Sequence, residues 1–377
     1  MKRGWNKYFL DASVVIVGVV VLFLLEETIR LKNTGFETKR LWDWMELLII
    51  PLFLAAGVFY LNSSERKAER QRAEEQSRIQ RERAEEQSKL ERELATDRQQ
   101  EAALQTYLDR MSDLLLEGIV RLSEKEELCN VARIRTLTVL RGLDARRKGI
   151  VLLLLHESGL IGEKPLINLT GADFTEVSLR GAKLQGANLS GVELAKADLS
   201  GADLTQAHLE AANLTDANLS GAILSKADLT QAVATNADLS EADLTGINLR
   251  RADLTHADLN KAKLSMANLA KAHLNRANLI AAILVKANLS EADLNGTELG
   301  NADLTHANLT KAYLNETNLG RADLRGADLN RAYLRRSRLT GARLDGANLN
   351  KARIDDEQLA TVDSLAGATM PDGTKHE

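Results

Sequence analysis

The sequence predicts a mainly β, repetitive fold preceded by helices, and three observations carry that reading. Leucine recurs at every fifth position from 169 to 354, broken only by Phe174, Ala234 and Ile354. The chain has 3 prolines and 4% aromatic residues, so its core must be assembled from small aliphatic side chains. The residues before the repeat carry no such period: an apolar N-terminus is followed by a stretch rich in Glu, Arg, Gln and Ala. With 377 residues the chain is long enough for two or three units. A formal charge of −4 excludes a polybasic nucleic-acid binder, and the single Cys129 excludes a disulfide framework.

Residues 1–62 read as a transmembrane hairpin. Phe9 to Leu25 is apolar apart from Asp11 and Ser13, and a second apolar run occupies about 44–61. A hydrocarbon core of ~30 Å needs roughly 17 to 25 helical residues, which both runs approach. Trp42, Trp44 and Tyr60 sit where an interfacial aromatic belt belongs. A cleaved signal peptide is disfavoured because Leu25-Glu26-Glu27 offers no small-residue cleavage site. Two spans place both termini on one side, expected to be the cytoplasm, in a bacterial plasma or thylakoid membrane.

Residues 63–103 form a charged helical stalk. Good helix formers fill it, and Arg72 to Ile79 recurs eleven residues later as Arg83 to Leu90. Eleven residues in three turns is the period of a straight or slightly right-handed coiled coil. The apolar stripe is thin, so the helix suits either loose self-association or a solvated stalk. Residues 104–164 read as a small helical module that covers the start of the repeat. Within it Arg133, Arg135, Arg141, Arg146, Arg147 and Lys148 make a basic stretch, read as a solvated face or as a contact for an anionic partner.

From 165 to 354 the pattern is A-[DN]-L-x-x, as in Ala197-Asp198-Leu199 and Ala217-Asn218-Leu219. Five suits neither a helix of 3.6 residues per turn nor a two-residue strand alternation; it suits a short extended side followed by a turn. Leu and Ala then point inward, and Asp or Asn is expected at the corner, bonding nearby amides. This pattern resembles the pentapeptide-repeat family, in particular multidomain membrane-anchored members like those of cyanobacteria. What the resemblance implies is a right-handed quadrilateral β-helix, four pentads to a coil. Residues 355–377 are expected to cap the last coil with a short helix and a tail, since an open ladder edge recruits other chains.

No catalytic, metal or cofactor site emerges. The outward Asp residues are too regular to single one out, and His208, His256, His273 and His306 lack ligand spacing. The array is nevertheless polarised: 169–249 holds 11 acidic against 4 basic residues, and 250–354 holds 10 against 17. Twenty-residue stacking aligns Arg251, Lys271, Lys311, Arg331 and Lys351 in one column, interrupted by Glu291. Like charges stacked this way repel unless an anion compensates them. With Arg335, Arg336, Arg338 and Arg343 the column is the candidate interaction surface, for an acidic protein or anionic lipid headgroups. The expected function is a non-enzymatic, membrane-anchored scaffold; the alternative is a nucleic-acid- or gyrase-directed module. Self-association through the stalk or a solenoid end is a further expectation.

Overall fold

The computed structural model describes residues 41–116 and 126–377. The chain divides into two compact units, Met1–Glu93 and Leu94–Glu377. Helix α1 (Leu41–Leu116) runs unbroken for 76 residues, with Pro51 its only proline. Its surface is stitched by exposed pairs such as Arg78 with Glu75 at 3.5 Å and Glu82 at 3.4 Å, the i,i+3 and i,i+4 neighbours of a helix.

Of the two expected membrane spans, 9–25 lies outside the described residues. Among the described residues no helix is long and apolar enough to cross a membrane, so the span at 44–61 is not found either.

In the second unit, α2 (Glu126–Leu140) and α3 (Ala145–Glu157) pack against the end of α1. Asp144 starts α3 by accepting from the Arg147 amide at 2.8 Å. Leu104, Tyr107 and Met111 of α1 join Ala132, Leu140, Val151, Leu152 and Leu155 in one core that continues into the repeat. The short apolar run Ile150 to Leu155 is thus a buried helix rather than a span. Gly149 matters here: a Cβ at this position would lie 3.3 Å from the Ser178 carbonyl oxygen, so glycine lets α3 lie directly on the first coil. Half of the basic stretch, Arg135, Arg141 and Arg146, is exposed; the other half is not a solvated face. Arg147 is almost fully buried and pairs with Asp97 at 2.7 Å and Glu101 at 2.9 Å, besides Asp144, which ties α3 to α1. Lys148 pairs with Asp173 at 2.7 Å, and Arg133 donates to the carbonyls of Asn168 and Thr170. These last two cations bind the helical cap to the solenoid.

The solenoid itself has 20 residues per coil. Parallel bridges join residues twenty apart without interruption from Asp173↔Glu193 to Tyr333↔Arg353. Each side contributes one bridged residue rather than an extended strand. The inward Leu and Ala of the motif are buried throughout, Leu264 and Ala267 among them at 0% exposure. Where Thr or Ser replaces Ala inside, the hydroxyl finds a carbonyl: Thr297 donates to Leu274 and Thr317 to Leu294, both at 2.7 Å.

The corner assignment of Asp and Asn needs correction. These residues carry the bridge and sit in the middle of each side; the corner falls on the two residues after Leu. The Asp or Asn side chain reaches forward instead, accepting from the amide two residues on, as Asp203 does from Thr205 at 3.0 Å. Every residue in steps of five from 171 to 351 has positive φ, and 26 of them are not glycine. The Ala amide after each corner bonds the preceding Leu carbonyl, as Ala202 does Leu199 at 3.0 Å. Left-handed third residues define a type II turn, which explains the glycines at 171, 181, 186, 191 and 201.

The stack does not end at 354. Helix α4 (Asp356–Leu359) makes one turn, and Gln358 donates to the carbonyls of Leu334 and Ser337. A further partial coil then pairs Ser364 with Arg343 and Thr369 with Asn348, twenty-one residues apart. The chain finally reverses, so that Lys375 bridges Thr369 antiparallel.

Candidate docking face

Four sides arise from the 20-residue period, and two of them differ sharply. One side carries Asp228, Asn248, Asn268, Asn288, Asn308, Asp328 and Asn348. Its amides bond along the stack: Asn268 donates to Asn248 at 3.1 Å, Asn288 to Asn268 and Asn308 to Asn288 at 3.2 Å each, and Asn348 to Asp328 at 2.9 Å.

The other side carries Asp253, His273, Asp293, Tyr313, Tyr333 and Arg353. The corner row beside it is the basic column Arg251, Lys271, Glu291, Lys311, Arg331 and Lys351. Because corner residues are left-handed, their side chains project from the edge rather than over the side. An open groove of about 630 Å³ results, lined by Arg251, Lys271, His273, Glu291, Lys311, Tyr313, Arg331 and Tyr333. Glu291 is not a mere gap in the column. Its carboxylate lies 3.3 Å from the Lys271 ammonium and 3.7 Å from that of Lys311, so the like-charge repulsion expected there is relieved from within. Among the described residues Arg251, Arg331 and Lys351 have no ion pair within 4 Å.

Arg335 and Arg336 stand at the opposite corner of the same side, around a hollow of about 500 Å³ shared with Tyr333 and Arg353. Arg336 reaches Glu316 at 3.5 Å. Arg338 and Arg343 lie elsewhere: Arg338 bridges Asn318 on the next side and Arg343 bridges Asp323 on the one after. The structure therefore brings seven of the nine candidate residues to one face and separates two.

Sequence reasoning missed the centre of this face. Tyr313 and Tyr333 stack at 4.9 Å between centroids with an interplanar angle of 12°, and the Arg353 guanidinium lies 4.7 Å over Tyr333. Tyr333 thus has both ring faces occupied. Bases need an open ring to stack upon, and Tyr333 offers none, while Tyr313 remains 42% exposed. The twenty-residue spacing of 313, 333 and 353 was the available signal. Among the described residues no group of His, Cys, Asp and Glu has the arrangement to hold a metal ion.

Comparison with known proteins decides the family. A model of pentapeptide repeats matches the chain in 8 copies between residues 172 and 356. The crystal structure of HetL, a pentapeptide repeat protein involved in heterocyst differentiation regulation in the cyanobacterium Nostoc sp. strain PCC 7120, is 33% identical over 98% of its own chain. The chain belongs to the pentapeptide-repeat family. HetL covers 59% of this chain with a TM-score of 0.35. Rfr23, a pentapeptide repeat protein of the cyanobacterium Cyanothece 51142, is 39% identical, covering 24% of this chain and 54% of its own, with a TM-score of 0.13. QnrB1, a plasmid-mediated fluoroquinolone resistance protein, is 17% identical over 40% of this chain and 85% of its own, with a TM-score of 0.20. No curated protein matches the chain.

Proposed function

We propose that this pentapeptide-repeat protein is a membrane-anchored scaffold, without catalysis, that docks an acidic protein surface on its tyrosine-bearing side. The carrying observation is the groove in which unpaired cations line one edge and a stacked tyrosine pair forms the floor. Cations steer an acidic partner, and tyrosine edges supply hydrogen bonds and apolar area once it arrives. A nucleic-acid role is disfavoured by the occupied faces of Tyr333, by the scarcity of other aromatic side chains in the array and by its balanced overall charge. Anchoring is supported by the exposed apolar side chains of α1: Leu52, Phe53, Leu54 and Phe59 are each more than half exposed and need a lipid or protein cover.

The test uses the full chain in detergent. Replacing Arg251, Lys271, Lys311, Arg331 and Lys351 with Gln is expected to abolish capture of partners that the wild type releases at raised salt, because exposed charges are screened within about 8 to 10 Å. Equal recovery of the same partners by both proteins would overturn the docking role. For topology, a reporter at the C-terminus is expected on the cytoplasmic side and one near Asn33 on the other; a cytoplasmic signal from Asn33 would remove the hairpin.

A further inference from the structure

Helix α1 carries an acidic stripe that the docking role does not use. At about 100° per residue, Glu75, Glu82, Glu86 and Glu93 fall within roughly 40° of one another on the helix surface. They do so because the eleven-residue repeat places Glu86 eleven after Glu75 and Glu93 eleven after Glu82. All four are exposed. Arg78 and Lys89 flank the stripe on one side, and Arg78 pairs weakly with Glu75 and Glu82. The other flank carries two apolar side chains, Ile79 at 38% and Leu90 at 56% exposure, beside Arg72 and Arg83.

We propose that a second copy of this chain occupies the tyrosine-bearing side, laying the acidic stripe of its α1 along the basic corner row. This rests on the docking role above and names its occupant. Three matches support it. Glu75 to Glu93 spans roughly 27 Å of helix, and Arg251 to Lys351 spans five coil spacings, roughly 24 Å. These two apolar side chains lie beside the acidic stripe as the tyrosines lie beside the basic row, so Leu90 or Ile79 covers Tyr313, itself 42% exposed. The same helix face already meets arginine once within the chain. Asp97, eleven residues after Glu86, is held by Arg147 at 2.7 Å.

Charge reversal separates this from other modes of association. The full chain in detergent is expected to self-associate in light scattering, with mass falling as protein is diluted or salt is raised. One variant carries Glu75→Lys, Glu82→Lys, Glu86→Lys and Glu93→Lys; the other carries Lys311→Glu, Arg331→Glu and Lys351→Glu. Each alone is expected to weaken self-association about tenfold or more, since most contacts then oppose like charges. Mixed in equal amounts they are expected to associate again, because each supplies the charge its partner lacks. All the altered residues are exposed, and unchanged melting temperatures confirm that both variants fold. A wild type that stays monomeric, a column reversal without effect, or a mixture that fails to recover would each overturn the proposal. An effect of the helix reversal alone would mark a coiled coil between two copies of α1. A polyglutamate peptide, bound by the wild type and not by the column variant, reports on the docking role whether or not the chain self-associates.

Discussion

The asparagine side and the tyrosine side share one backbone, one core and one repeat, and they spend their surface residues differently. On the asparagine side Asn248, Asn268 and Asn288 each donate and accept along the stack, so their polar capacity is consumed within the molecule. In the basic row of the tyrosine side Glu291 alone closes contacts, with Lys271 and Lys311, and Arg251, Arg331 and Lys351 have no ion pair among the described residues. The difference teaches that a pentapeptide side becomes a docking surface by leaving its groups unsatisfied by one another. A net charge for the array, being balanced, shows nothing of this.

Breaking the shared core should erase the comparison altogether. Leu264→Asp places a carboxylate where exposure is 0%, with no partner to solvate it. A loss of several kcal/mol is expected in thermal unfolding. Next comes the asparagine ladder. Asn288→Asp removes the donor to Asn268 and sets two acceptors against each other, an expected cost of about 1 to 2 kcal/mol. The outward swap Asp258→Asn is the control: Asp258 accepts from Asn278 and from the Asn260 amide, and an amide oxygen serves both, so under about 1 kcal/mol is expected. On the tyrosine side the five-Gln variant should change stability by less than about 1 kcal/mol, since exposed charges contribute little, while losing binding. Equal destabilisation of the two sides would remove the distinction drawn here.

Acid provides a finer probe. Ser200 holds Asp198 below its ordinary 3.8 by hydroxyl and amide hydrogen bonds, and Arg325 does the same for Asp323. For Asp203 and Asp243 burial opposes the shift, but bonds from Thr205 and Thr245 outweigh it. The folded chain therefore takes up protons less readily than the unfolded one. This stability is fully present above the ordinary carboxylate value and is lost as pH falls below about 4. A melting temperature that rises on acidification would contradict these bonds. At the corners Gly201→Ala, at φ 63°, should cost about 1 kcal/mol, and the smallest effect is Ala211→Gly, at φ 54°, neutral to slightly stabilising.

Much of this was legible because the repeat is a direct image of the geometry. Leucine every five residues dictates an inward row, and stacking by twenty aligns the basic column before any coordinates are known. The position of Asp was misread because its side chain bonds a turn amide from the neighbouring side: the chemistry belongs to a corner, the residue does not. Glu291 read as an interruption because a column of letters gives no distances, and only the geometry places its carboxylate between two ammonium groups. Arg147 and Lys148 read as surface because their carboxylate partners lie 25 to 50 residues away in sequence. The membrane spans rested on hydropathy alone; 9–25 lies outside the described residues, and among those described no helix is long and apolar enough to cross a membrane.

The last coil carries a consequence for growth. A ladder repeating every twenty residues has no internal marker of where to stop, and any coil is a template for another. At the C-terminus a single added residue shifts the bridges to a spacing of twenty-one, and Lys375 returns antiparallel across Thr369. Past the last regular coil the ladder therefore offers a strand of the wrong direction to a parallel neighbour, and the twenty-residue rule that all the preceding coils obey gives way.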